Sequence, residues 1–142
     1  MINNRTNVSR YDGSPPADAS DQSRKIAGGP LYPKREVLAL LSPTAVNFWS
    51  RGAVADQQKW KINAQDARDL VQAALHTGRY LGAEWCVQKA DGPWAACDAY
   101  VVSRLEWNPH AHKDLTVTYY LKYAISKTGQ VLLMASSHPE GA

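Results

Sequence analysis

The sequence predicts an α+β domain in which N-terminal helices pack on a four-stranded antiparallel β meander. Three observations carry this. The C-terminal half holds four segments rich in β-branched and aromatic residues: RYLGAEWCVQK, WAACDAYVVSRLEW, LTVTYYLKYAI and VLLMASSH. The breaks between them, Asp91-Gly92-Pro93, NPHAHKD and SKTGQ, are short and turn-rich, so neighbouring strands pair antiparallel. The stretch before them carries apolar residues at helical spacing instead.

Taken in order, residues 1–30 are polar and rich in Ser, Asp, Asn, Gly and Pro. Their sizeable apolar groups, Ile2, Val8, Tyr11 and Ile26, bury too little surface to offset the entropy of ordering. The expectation is a flexible polar arm followed by a single α+β domain over residues 31–142. Pro33 opens KREVLALL, a short helix with an apolar side from Val37, Leu38, Leu40 and Leu41, stopped by Ser42-Pro43. TAVNFWSRG reads as a short helical turn ended by Gly52. The clearest helix begins at the cap residue Asn63, with Asp66 three positions on, near the positive end of the helix dipole. Ala67, Leu70, Val71, Ala74 and Leu75 form its apolar stripe and Gly78 ends it, so it should lie across one face of the sheet.

The chain has 142 residues, 44% of them hydrophobic, with five Trp and seven Tyr, which suffices for one real core. A net charge of +3 and a pI near 8.9 suit an anionic partner but are not by themselves a nucleic-acid footprint. Cys86 and Cys97 are too few for a metal cage. They can pair across adjacent strands, but two reduced thiols in a cytosolic protein are expected. No apolar run approaches the ~18 residues of a membrane span. The N-terminus lacks the apolar core of a signal peptide, so a cytoplasmic location is expected and no membrane partner. His76 reads as a cap at a helix end. His110 and His112 resemble half a metal site without a third ligand in reach, so the expectation is a loop, with no metal and no cofactor.

Alternation along the last three strands sorts side chains into two sets. The odd-numbered set, from Cys97 and Ala99 through Tyr119, Leu121 and Tyr123 to Leu133, is almost wholly apolar and should meet the helices. The even-numbered set gathers Asp98, Tyr100, Arg104, Glu106, Tyr120, Lys122 and His138 on one surface. There Arg104 and Lys122 can neutralise a phosphate. Tyr100 and Tyr120 can stack on a ring or offer a hydroxyl. A histidine at position 138 can move a proton, and Asp98 can orient a neighbour. The plain alternative is a solvated sheet face with cross-strand ion pairs and no chemistry.

Over residues 64–138 the order of helix, strand, Asp98-Ala99-Tyr100, Tyr120-Leu121-Lys122 and Val131 through His138 resembles the bacterial MqsR-type mRNA interferase toxins. The resemblance implies a RelE/barnase-like fold and cleavage of RNA by its own 2′-hydroxyl. It sets Tyr120 at the family's functional tyrosine. Three other positions differ: the first-strand lysine falls near Gly82, with Lys89 the one basic residue later on that strand, the glutamine before Asp98 is Cys97, and the last-strand lysine is His138. On this reading Tyr120, Lys122, His138 and Arg104 are catalytic, while Tyr100, Asp98 and Lys89 hold substrate. RNA and a protein antitoxin would be the partners.

Two other classes suit the same pattern. A long curved meander also resembles the cystatin-like α+β cone of nuclear-transport-factor type, with Trp85, Trp94, Trp107, Tyr119 and Tyr123 lining a small-molecule pocket. A non-enzymatic interaction module, immunity- or inhibitor-like, would use the polar arm and exposed aromatics against another protein or a second copy of the chain.

Overall fold

The computed structural model describes residues 5–17 and 20–140. Its centre is a mixed sheet of six strands rather than a meander of four. In chain order they are β1 Lys25–Ile26, β2 Val46–Phe48, β3 Arg79–Val87, β4 Trp94–Asn108, β5 Lys113–Ile125 and β6 Leu132–Pro139. Their spatial order is β1-β3-β4-β5-β6-β2. The predicted meander is its middle, antiparallel throughout. The two additional strands sit at its edges, β1 antiparallel to β3 and β2 parallel to β6. Both are too short for alternation to show in a sequence.

The helices are α1 Asp21–Arg24, α2 Lys34–Leu40, α3 Arg51–Trp60 and α4 Ala64–Thr77, with a 3₁₀ turn at Pro43–Ala45. None of the helices among the described residues is long and apolar enough to cross a membrane. α4 starts as the sequence indicates, with Asn63 and Asp66 closing a reciprocal capping box, and its buried side is the predicted stripe from Ala67 to Leu75. Gly78 ends it under a packing constraint. A Cβ there would stand 2.6 Å from the carbonyl oxygens of both Ala74 and Val101.

The segment TAVNFWSRG is not a helical turn closed by Gly52. It runs from the 3₁₀ turn into β2, and Ser50 then caps α3, so Gly52 falls inside the first turn of that helix. The reason lies in β6, whose outer edge needs partners beyond the end of β2. Trp49 N donates to Met134 O, the Ser50 hydroxyl donates to Ala135 O, and Asp56 accepts from Ser137 N.

The stretch expected as a flexible arm lies against the sheet, apart from residues 1–4 and 18–19, which fall outside the described ones. Val8 N donates to Trp94 O, Trp94 N to Thr6 O, and Arg10 N to Ile125 O. Ser9 is fully buried and its hydroxyl accepts from Ala96 N. Main-chain hydrogen bonds hold this segment together with a few side chains, Val8 on the core and Tyr11 edge-on to Trp85, and the main-chain share is what its composition hides.

Strand register decides which side chains share a face. The connection between β4 and β5 leaves Asn108 opposite Lys113, so even positions of β4 stand across from odd positions of β5. Asp98 pairs with Tyr123, Tyr100 with Leu121, and Val101 with Tyr120. A bulge at Ala135 shifts β6 by one residue, and His138 thereby comes opposite Tyr120.

Candidate functional site

This register divides the predicted constellation between the two faces of the sheet. Asp98, Tyr100 and Arg104 share one with Tyr119, Leu121 and Tyr123. Tyr120, Lys122 and His138 share the other with Ala99, Val101 and Ser103. The expectation of a single even-numbered polar surface is therefore corrected. It held β4 and β5 in phase, and an offset of one residue exchanges the faces of a whole strand.

The first face is packed by α4, and its buried polar groups are structural. Asp98 is fully buried and accepts from Leu31 N at 2.9 Å, from Tyr32 N at 3.1 Å and from the Tyr80 hydroxyl at 3.3 Å. Burial pushes its carboxyl up from the usual aspartate range, and the two main-chain donors partly offset that. Tyr100 is buried, stacked on Tyr123 at 6.0 Å and set edge-on to Tyr80. Neither residue is open to a substrate. Arg104 binds Glu106 at 2.6 Å, and Glu106 also accepts from the Tyr119 hydroxyl at 2.7 Å. That ion pair lies on the opposite side of the sheet from Tyr120 and supplies no charge there. Lys89 sits in the turn after β3 beside Arg51 and Trp49, away from the groove that Tyr120 lines.

The second face carries an open groove of about 520 Å³ lined by Lys25, Leu81, Gly82, Glu84, Ala99 and Tyr120 among others. Beside it the His138 ring stacks on that of Tyr120 with centroids 5.4 Å apart and 21° between planes. His138 Nδ1 lies 2.9 Å from Pro139 O. A carbonyl only accepts, so Nδ1 donates and Nε2 is left as the basic nitrogen. Lys122 Nζ lies 5.5 Å from the centre of the Tyr120 ring and binds Glu84 at 2.5 Å. Burial works to lower the Lys122 ammonium, but Cys86 and Glu84 outweigh it, so Lys122 is held above the ordinary lysine value as a firm cation.

Cys86 and Cys97 are buried free thiols on this same face. A hydrogen bond from Cys97 lowers Cys86 against its burial, and Lys122 lowers it further, while burial pushes Cys97 up. Among the described residues no cluster of three or more His, Cys, Asp or Glu is placed to hold a metal ion. His110 and His112 are exposed in the β4–β5 loop, where the His112 ring stands 6.4 Å from that of Trp107. The five aromatics proposed to line a pocket are dispersed. Tyr123 and Trp94 are buried, while Trp107 is 61% exposed near the tip of the β4–β5 ribbon.

Three residues of the open face escape a sequence reading. Lys25 falls in the polar N-terminal segment, and it comes opposite Glu84 only because β1 pairs with β3. Glu84 and Arg79 lie on β3, whose polar positions the sequence leaves without a phase relative to β4. The bulge at Leu81 is what sets that phase. Compared with known proteins, the chain matches no family model, no curated protein and no solved structure.

Proposed function

We propose that the open face binds RNA and cleaves it by attack of a ribose 2′-hydroxyl on the adjacent phosphate, with Tyr120 and His138 as the reacting pair and Lys122 beside them. The supporting observation is the Tyr120–His138 stack beside a groove that Tyr120 and Lys25 line, with the Lys122 ammonium 5.5 Å from the centre of the Tyr120 ring. His138 Nε2 takes the 2′-hydroxyl proton as the new P–O2′ bond forms. The P–O5′ bond breaks, and the Tyr120 hydroxyl donates a proton to the departing 5′-oxygen. Lys122 offsets the charge that builds on the phosphorane. Solvent then returns the proton from His138 to Tyr120.

The likeness to MqsR-type toxins at Tyr120 supports the same reading, and toxicity to a host cell follows from it. Arg104, Tyr100, Asp98 and Lys89 have no part in this version, since burial, an internal ion pair or distance along the sheet removes each from the groove. The test pairs a labelled single-stranded RNA with the same sequence in DNA. The expected result is fragmentation of the RNA alone; intact RNA at high protein concentration rejects the proposal.

A further inference from the structure

One row of side chains crosses four strands of the open face: Arg79 on β3, Val101 on β4, Tyr120 on β5 and His138 on β6, each opposite the next. Strands lie about 4.8 Å apart, so Arg79 and Tyr120 are separated by only about 10 Å at the backbone. A guanidinium on its long stem spans much of that distance. Arg79 is exposed and, among the described residues, has no carboxylate within ion-pair distance. It lines a second cavity of about 370 Å³ that also holds Ser103, Thr118 and Glu140. The Ser103 and Thr118 hydroxyls, facing partners on β4 and β5, are 2.6 Å apart. One of them donates to the other, and the second keeps its proton free for an outside acceptor.

We infer that Arg79, with the Ser103 and Thr118 hydroxyls, forms a phosphate subsite next to Tyr120. This deepens the ribonuclease reading and rests on it for the identity of the ligand, which is the phosphate of a nucleotide neighbouring the scissile one. A guanidinium and a paired hydroxyl are the donors phosphate oxygens take. The Glu140 carboxylate at the cavity's rim opposes an anion, so it tunes the subsite downwards. Arg79 is a positioning residue here: it holds the strand in place while Tyr120 and His138 act on the next phosphate.

The experiment measures binding of a single-stranded RNA dodecamer at several salt concentrations, together with cleavage kinetics, for the wild type, Arg79→Ala, Arg79→Lys and Glu140→Gln. Arg79→Ala should weaken binding about ten- to a hundredfold and flatten the salt dependence by about one phosphate contact. KM should rise with kcat nearly unchanged, Arg79→Lys should recover part of the loss, and Glu140→Gln should bind more tightly. Unchanged affinity and salt slope in Arg79→Ala, with cleavage intact, overturns the subsite and leaves the ribonuclease reading standing. Arg79-dependent binding without any cleavage supports the subsite and removes the chemistry. A wild type that binds no RNA removes both.

Discussion

Tyr120 and His138 face each other across β5 and β6, rings stacked at 5.4 Å, and they do so because β6 bulges at Ala135. Were β6 to pair regularly through Ala135, Ser137 would stand opposite Tyr120 and His138 would point to the helix-covered side. His138→Ala should therefore lower RNA cleavage about 100-fold or more, and Tyr120→Phe should lower it with the stacked ring retained. The check is kcat measured on variants whose circular dichroism matches the wild type; a fully active His138→Ala would contradict this account of the site.

Asp98 anchors the Leu31–Tyr32 main chain to the sheet. Asp98→Ala leaves those two amides and the Tyr80 hydroxyl without their acceptor and should cost about 3 kcal/mol of stability, read by urea denaturation. Asp98→Asn isolates the charge. The native carboxyl holds its proton more tightly than the unfolded chain does, because burial raises it. Ionisation of this group then works against folding, with no effect below the ordinary aspartate range and a growing one as pH rises through the native value. Wild type should lose ground against Asp98→Asn as the pH is raised from about 4 towards neutrality. A stability difference that ignores pH would refute the raised value.

Much of the fold is legible in the residues, and the reasons for success and failure are local. The stripe from Ala67 to Leu75, the Asn63–Asp66 cap and the four long strands stand out because each spans enough residues for a period to repeat. β1 and β2 have two and three residues and no period to show. The site is harder. Alternation within β5 places Tyr120 and Lys122 on one face, and the Ala135 bulge restores the phase at His138. Asp98, Tyr100 and Arg104 fall on the other face, since the phase between β4 and β5 depends on the turn from Asn108 to Lys113. Turn-rich composition does not state whether such a connection leaves even positions opposite even or odd ones.

Lys122 is bound to Glu84 and lies next to Cys86, and its ammonium is held above the ordinary value by both, against burial. A lysine raised in this way adds stability that is complete below its unfolded value of about 10.4 and fades as pH climbs through the native one. Lys122→Met should cost about 1 kcal/mol at neutral pH, a modest figure because the Glu84 carboxylate keeps some contact with water. The difference from wild type should stay flat up to about pH 10 and shrink only above it. Thermal melts at stepped pH give the answer, and a difference that disappears near neutrality would argue against the raised ammonium.

Asp56 closes the free edge of β6 by accepting from Ser137 N at 3.1 Å. Asp56→Ala should cost about 1 kcal/mol and raise the hydrogen-exchange rate of the Ser137 amide specifically, while amides in the middle of β4 stay protected. Uniform exchange across β6 would mean that α3 does not seal this edge.

The most direct test of the central claim is the chemistry of the cut end. An RNA oligonucleotide incubated with the purified chain and analysed by mass spectrometry should yield fragments ending in a 2′,3′-cyclic phosphate. A single 2′-deoxy sugar placed at the cleaved position should abolish that cut. His138→Ala should give neither product. Fragments ending in a free 3′-hydroxyl, or a cut that survives the missing 2′-hydroxyl, would contradict the role assigned to Tyr120 and His138.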